Sequence, residues 1–327
     1  MPSICNAFAA RVTSTPKREL TSPIPLPSTV SFVVLSKRRK LTVLAARSHE
    51  WWRPDSGGRG AAAPAPTYAL VVDGVDLSGA KATAEEVATE WGLQLGEPFV
   101  LSRYSYVAPV GDDAVLKVAW AEDDEGLEEP DALALWAGNG AVQVLRADKN
   151  RRALLEERAR PGDDISELPD EEATTIAVDI ATRLWQPAGQ PFRWVGDHIP
   201  RWMDDAERDA REGAELLPLA RDLYASLEIS RAWLTHGDFH HHNILRHGGR
   251  FVAIDPKPYL GDREYDVPSF LWNPLSYEMT DRGKTERRIA AFVAAGLDDF
   301  KIRAWTAIRG SYLGAGSEEA ALIRSLL

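Results

Sequence analysis

Two short stretches, His236-Gly-Asp-Phe-His-His-His-Asn243 and Ile254-Asp255-Pro256, hold the residues of this 327-residue chain best suited to chemistry. Asp238 precedes Asn243 by five positions, and Asp255 follows it by twelve. A loop carboxylate such as Asp238 can accept or orient the proton of an attacking hydroxyl. The amide oxygen of Asn243 and the carboxylate of Asp255 are hard ligands of the kind Mg2+ prefers, and Mg2+ keeps part of its water shell. Transfer of a phosphoryl group from a nucleotide to a hydroxyl needs mainly positioning and charge neutralisation, so these few groups go far towards it.

Their spacing requires particular elements. Ile244–Arg246 and Arg250–Ile254 read as two strands joined at His247-Gly248-Gly249, a turn with glycine where positive φ is needed. A hairpin places residues equally far from its turn side by side. Asn243 and Asp255 therefore emerge at the same end, and the loop carrying Asp238 leads to that end. The apolar Trp233–Thr235 enters the His236-Gly237-Asp238 turn. A zinc site built from His236, His240, His241 and His242 is the weaker alternative, because adjacent side chains diverge and no Cys lies nearby.

A nucleotide clamp is expected upstream. Phe99–Arg103, Tyr106–Val110 and Ala114–Val118 read as strands, with a turn at Gly111-Asp112-Asp113. Lys117 sits within the apolar third strand, where a charge is costly unless paired. Glu128 or Glu129, ahead of Leu133-Ala-Leu-Trp136, could pair with it; the alternative is that Lys117 reaches water from an edge strand. Val142–Arg146 and Arg152–Glu156 form a second expected hairpin. No Gly-x-x-x-x-Gly-Lys-Ser/Thr sequence occurs, which disfavours a P-loop.

The segments Leu234–Leu245, Ala253–Pro258, Gly261-Asp262, Asp266 and Asn273-Pro274 together resemble the aminoglycoside phosphotransferase branch of the kinase-like fold. Within that branch they resemble the streptomycin 6-phosphotransferase and hydroxyurea antibiotic resistance kinases, from about Trp91 to the C-terminus. The resemblance implies an α+β, bilobal, protein-kinase-like fold, with a small β-rich N-lobe and a mostly helical C-lobe. It implies ATP and Mg2+ as cofactors and a small-molecule substrate, most closely streptomycin phosphorylated at position 6, with another small alcohol such as hydroxyurea as the alternative. Asp238 then corresponds to the catalytic base, His236 to the residue bracing its loop, and Asn243 and Asp255 to metal ligands. Lys117 corresponds to the lysine that grips the α- and β-phosphates, with Glu129 as its helix partner. The strand running to Ala159 corresponds to the hinge that binds adenine through its main chain. One departure is His241-His242 before the Asn, where many relatives carry Pro-Gly or His-Gly. The set Lys117, Asp238, Asn243 and Asp255 is complete, which argues against a nucleotide-binding pseudokinase.

Helices are expected from Asp170 onward, within Ile199–Leu227 and from Arg287 to the end, with Trp194, Trp202, Trp233, Trp272 and Trp305 in the core. Asp262, Glu264, Asp266 and Glu278 could hold a cationic substrate or serve as caps and ion pairs. The organisation expected is a disordered leader or linker over 1–66, an N-lobe over 67–159 and a C-lobe over 160–327. The leader carries net +7, leaving −18 on the remainder of a chain whose formal charge is −11. That balance argues against a nucleic-acid partner, and the sequence contains no apolar run of membrane-spanning length. A single cysteine, Cys5, excludes an internal disulfide. A cytoplasmic location is expected; the acid-poor, Ser-rich first 50 residues leave an organellar transit peptide as the alternative.

Overall fold

The computed structural model describes residues 75–99, 104–274 and 279–327, together with the backbone of three strand segments nearer the N-terminus. Those segments are β1 (Val30–Ser36) and β2 (Arg39–Ala45), which form one antiparallel hairpin, and β3 (Val71–Val72), which pairs with β4 (Val75–Asp76). The rest of the expected leader over 1–66 lies outside the described residues.

The smaller lobe is built on period-two alternation. After α1 (Ser78–Trp91) come β5 (Ser105–Val110) and β6 (Ala114–Ala119), then α2 (Glu129–Trp136), β7 (Val144–Asp148) and β8 (Ala153–Glu157). The four strands form one antiparallel sheet in the order β5-β6-β8-β7. Leu116 and Val118 of β6 point to α1 and meet Ala84, Val87 and Ala88 in a separate small core. Successive strand residues face opposite sides, so Val115 and Lys117 point the other way, as do their cross-strand partners Glu156 and Leu154 on β8. Strand β6 is central rather than at an edge, and Lys117 is only 7% exposed. Of the expected strand over Phe99–Arg103, Phe99 lies outside any strand and residues 100–103 fall outside the described residues.

Strand β9 (Pro161–Asp164) leads into the larger lobe. It is followed by α3 (Asp170–Leu184), β10 (Gln186–Pro187), α4 (Ile199–Arg208), α5 (Leu217–Ser226) and β11 (Trp233–Thr235). The hairpin β12 (Ile244–His247)–β13 (Arg250–Ala253) comes next, then β14 (Tyr259–Gly261), α6 (Val267–Leu271), α7 (Arg282–Ala294), α8 (Asp299–Leu313) and α9 (Ser317–Leu326). Helix α3 begins with Asp170, Glu171 and Glu172 in its first turn, where the helix dipole favours negative charge. Asp281 and Asp298 cap α7 and α8 by accepting from the N–H groups of Lys284 and Lys301, each at 2.9 Å. Helix α8 is buried from Ala304 to Tyr312, and its Trp305 and Ile308 are fully enclosed. Trp305 is a core residue, as expected; Trp194, Trp202, Trp233 and Trp272 pack at the core's margin.

Two small sheets carry the functional segments. One has the order β13-β12-β9 and the other β10-β11-β14, all antiparallel. Among the described residues no helix is long and apolar enough to cross a membrane. The small core beneath β6 tests this account of the smaller lobe. Leu116→Ala should lower unfolding stability by about 2–4 kcal/mol, measured by urea denaturation, because Leu116 is completely buried between the sheet and α1.

Candidate active site

Hairpin β12–β13 has the register its sequence implies, with Ile244 opposite Ala253 and His247 opposite Arg250. Asn243 and Asp255 consequently leave it at the same end, and the Ile254 N–H donates to the Asn243 carbonyl at 3.0 Å. The Asn243 side chain donates from Nδ2 to the Asp238 carbonyl at 2.9 Å, which tethers the Asp238 loop to the hairpin and leaves its amide oxygen for another partner. His241 and His242 form a short 3-10 turn with Asn243. Asp255 has φ of 55°, in the left-handed region that costs most L-residues roughly 1–2 kcal/mol. Asp tolerates that region better than bulkier residues.

Lys117 crosses from the smaller lobe to this cluster. Its ammonium lies 2.8 Å from Glu129 Oε1 and makes a short ion pair with Asp255 Oδ1. Glu129 is therefore the helix partner, while Glu128 pairs with Arg193 at 2.9 Å. Pro130 does not obstruct this arrangement: it lies in the first turn of α2, where its missing N–H has no helical acceptor to lose. Burial alone would push Lys117 towards neutrality, but Asp255, Glu129 and Glu156 outweigh it and hold the ammonium firmly protonated. Burial likewise opposes charge on Asp255, and Lys117 with Lys257 overcomes it, so its carboxyl stays below the usual range. The Asp255 side chain remains 46% exposed, open to the cleft between the lobes.

The loop that presents Asp238 is braced from beneath. Gly237 has φ of 80°, and an added Cβ would sit 1.8 Å from the Lys257 carbonyl oxygen, so only glycine fits. Asp266 accepts from the backbone N–H of His236 at 2.9 Å and of Gly237 at 2.7 Å, and from Trp185 Nε1 at 2.9 Å. Arg309 of α8 donates to the Gly237 carbonyl at 3.1 Å and to that of Tyr265 at 2.8 Å. His236 is fully buried and stacked near-parallel to Trp136. Its Nε2 lies 3.0 Å from the Ile254 carbonyl and its Nδ1 accepts from the Asp238 N–H at 3.3 Å, which fixes a neutral ring protonated at Nε2. Burial keeps that ring neutral by lowering its pKa. Asp238 itself is held well below the usual carboxylate range: burial opposes ionisation, and the nearby charges of Lys257 and Arg309 override it.

Of the two readings open for the acidic residues after Asp255, internal bonding holds rather than substrate binding. Asp262, Glu264 and Asp266 do not line a substrate site. All three are buried and spend their oxygens inside the fold: Asp262 on Lys301 and Trp305, Glu264 on the Asp298 N–H, Asp266 on the Asp238 loop. Glu278 lies outside the described residues. The consecutive histidines part company: His241 stacks on Phe270, His242 bonds Asp164 at 2.7 Å, and His240 lies 3.6 Å from Asp238. Among the described residues no group of three or more His, Cys, Asp or Glu is arranged to hold a metal ion. A pair such as Asn243 and Asp255 fits Mg2+ differently, because nucleotide phosphates and water complete its shell. Lys257 and Glu156 were passed over. Two neighbouring apolar strands, each with an ionisable group on the same face, Lys117 on β6 and Glu156 on β8, were the available signal for the latter.

A match to the model of the aminoglycoside/hydroxyurea antibiotic resistance kinase family covers residues 93–320. A streptomycin 3''-kinase from Klebsiella pneumoniae is 32% identical over 233 residues, which cover 66% of this chain and 85% of that protein. A hydroxyurea phosphotransferase from Kitasatospora aureofaciens is 30% identical over 246 residues, covering 70% of this chain and 71% of that one. Among solved structures, a choline kinase from Streptococcus pneumoniae aligns with a TM-score of 0.50 at 14% identity, over 75% of this chain and 96% of that one. A thermostable aminoglycoside phosphotransferase crystallised with AMP-PNP and hygromycin B aligns with the same score at 18% identity, over 74% and 98%. These two share the protein-kinase-like fold with this chain.

Two outcomes follow from the geometry. Gly237→Ala should disrupt the loop and remove measurable activity, checked by circular dichroism together with a transfer assay. Glu156 Oε2 is buried and has no hydrogen-bond partner among the described residues. Burial, then Glu129, push that carboxyl from its ordinary 4.5 up to about 8. A carboxyl that binds its proton more tightly when folded loses stability as pH rises from its unfolded pKa to its folded one. Glu156→Gln should therefore gain on the unaltered protein between roughly pH 5 and 8, reaching about 1–2 kcal/mol. Thermal melts across that range measure the gain, and a constant difference between the two proteins would contradict the assignment.

Proposed function

The chain belongs to the aminoglycoside/hydroxyurea antibiotic resistance kinase family, and on that premise we propose that it transfers the γ-phosphoryl group of ATP to a hydroxyl of a small antibiotic. The observation that carries this reading is the convergence of Asp238, Asn243 and Asp255 at one end of a hairpin, opposite Lys117 from the other lobe. Residues 67–159 then form the nucleotide side of the cleft and residues 160–327 the acceptor side.

Each group has a defined task in this reading. Asp238, ionised and held by its loop, orients the acceptor hydroxyl and takes its proton as the oxygen attacks. Lys117 is kept charged by Glu129, so it can exchange Asp255 for the nucleotide's phosphates without leaving its strand. Asn243 and Asp255 would hold Mg2+ through the amide oxygen and the exposed carboxylate, and the ion would supply charge neutralisation on the phosphates. His236 is buried, neutral and bonded at both nitrogens. Its task is to position the Asp238 loop rather than to move a proton.

For the acceptor, streptomycin phosphorylated at position 6 is the leading assignment. The relative named for position 3'' supports that hydroxyl as the second, and the hydroxyurea phosphotransferase supports a smaller acceptor. Incubation with labelled ATP and either streptomycin or hydroxyurea, with NMR to locate the new phosphate ester, separates the three. Absence of transfer to every acceptor, with nucleotide still bound, would instead describe a scaffold. In the active protein, Asp255→Ala should cut kcat by at least about 10³-fold and Asp238→Asn by about 10²–10⁴-fold, both without loss of fold. Full activity in either variant would contradict the assignment.

A further inference from the structure

Lys257 has no task in the reading above, yet it is better placed for one than any other cation near Asp238. Its main chain is fixed: Pro256 and Pro258 flank it, its N–H donates to the His236 carbonyl at 2.8 Å, and its own carbonyl packs against Gly237. Its ammonium is less committed. The nearest acidic oxygens are Asp238 Oδ2 at 3.6 Å and Glu125 Oε2 at 3.7 Å, both beyond hydrogen-bond length. The ring of Tyr104 lies 5.8 Å away. An ammonium carries three N–H donors.

The other positive groups nearby are taken. In the reading above Lys117, held by Glu129, goes to the nucleotide's α- and β-phosphates, Arg309 spends its donors on two carbonyls beneath the loop, and burial keeps His240 neutral. A nucleotide's γ-phosphoryl group must nevertheless come within reach of Asp238, a carboxylate of like charge. Without a cation between them, that approach is repulsive.

Resting on the kinase reading, we propose that Lys257 is a catalytic residue that contacts the transferring phosphoryl group. The bond between the γ-phosphorus and the bridging oxygen of ATP breaks, and ADP leaves with that electron pair. The acceptor oxygen forms the new P–O bond, and its proton passes to Asp238. Lys257 changes none of these bonds; it neutralises charge on the phosphoryl oxygens while they lie beside Asp238.

The test compares Lys257→Met, Lys257→Arg and Glu125→Gln with the unaltered protein. It uses streptomycin or hydroxyurea, whichever the unaltered protein phosphorylates, and follows both phosphate transfer and the slow hydrolysis of ATP by water. Lys257→Met should lower kcat for both reactions by about 10²–10³-fold, with AMP-PNP affinity within a few-fold and a normal thermal melt. Lys257→Arg should recover at least a tenth of the unaltered rate. Glu125→Gln should stay within about threefold, since it removes only the bridge to the smaller lobe. Unchanged kcat in Lys257→Met, with transfer intact in the unaltered protein, overturns this inference alone. A loss in Glu125→Gln equal to that in Lys257→Met also overturns it, because the lysine would then act only by joining the lobes. Absence of transfer by the unaltered protein overturns the kinase reading and this inference with it.

Discussion

One buried ammonium organises the cleft. Lys117 leaves a central strand of the smaller lobe, meets Glu129 on α2 and reaches Asp255 at the end of β13 in the larger lobe. Burying a lysine costs several kcal/mol unless it is paired, and removing one partner of a buried pair typically costs about 3–5 kcal/mol. The two carboxylates are therefore conditions for Lys117 to stand where it does. They differ in kind. Glu129 is enclosed, whereas the Asp255 side chain is nearly half exposed. An incoming cation and a polyphosphate can share Asp255 and Lys117 between them and leave the Lys117–Glu129 contact in place.

The second constraint acts on backbone rather than on charge. The turn at His236-Gly237-Asp238 exposes two adjacent N–H groups and a carbonyl in the protein interior, where unpaired polar groups are costly. Asp266 takes both N–H groups, and Arg309 takes the carbonyl. The imidazole of His236 then ties the loop to Ile254, immediately before Asp255. The two carboxylates that face the cleft are thus held to one another through main chain, and their separation is set by the fold rather than by side-chain rotamers. Such rigidity suits a reaction that depends on alignment.

Much of this was legible in the sequence, for reasons that can be stated residue by residue. The hairpin announced itself through His247-Gly248-Gly249 between two apolar runs, and its symmetry alone brought Asn243 beside Asp255. Lys117 stood out as one charge in an apolar strand, and pairing was the cheaper of its two fates. Asp262 and Glu264 were not legible as interior groups, because a carboxylate in a loop looks the same whether it meets water, a substrate or a tryptophan N–H. Arg309 gave only the weak signal of a charge directly after Ala304-Trp305-Thr306-Ala307-Ile308; its acceptors are backbone groups more than forty residues away in sequence. Lys257 was read as part of a motif and no more, since its nearness to Asp238 depends on the left-handed turn at Asp255 and the packing of its carbonyl on Gly237.

In the proposed function Lys117 and Asp255 are waiting partners of a metal–nucleotide complex. A crystal structure with Mn2+ and AMP-PNP, with the metal located by its anomalous signal, tests it most directly. The account predicts manganese bound to the Asn243 amide oxygen and the Asp255 carboxylate, with Lys117 moved onto the phosphates and still paired to Glu129. Manganese at any other set of side chains, or a nucleotide bound while Lys117 remains fastened to Asp255, would contradict it.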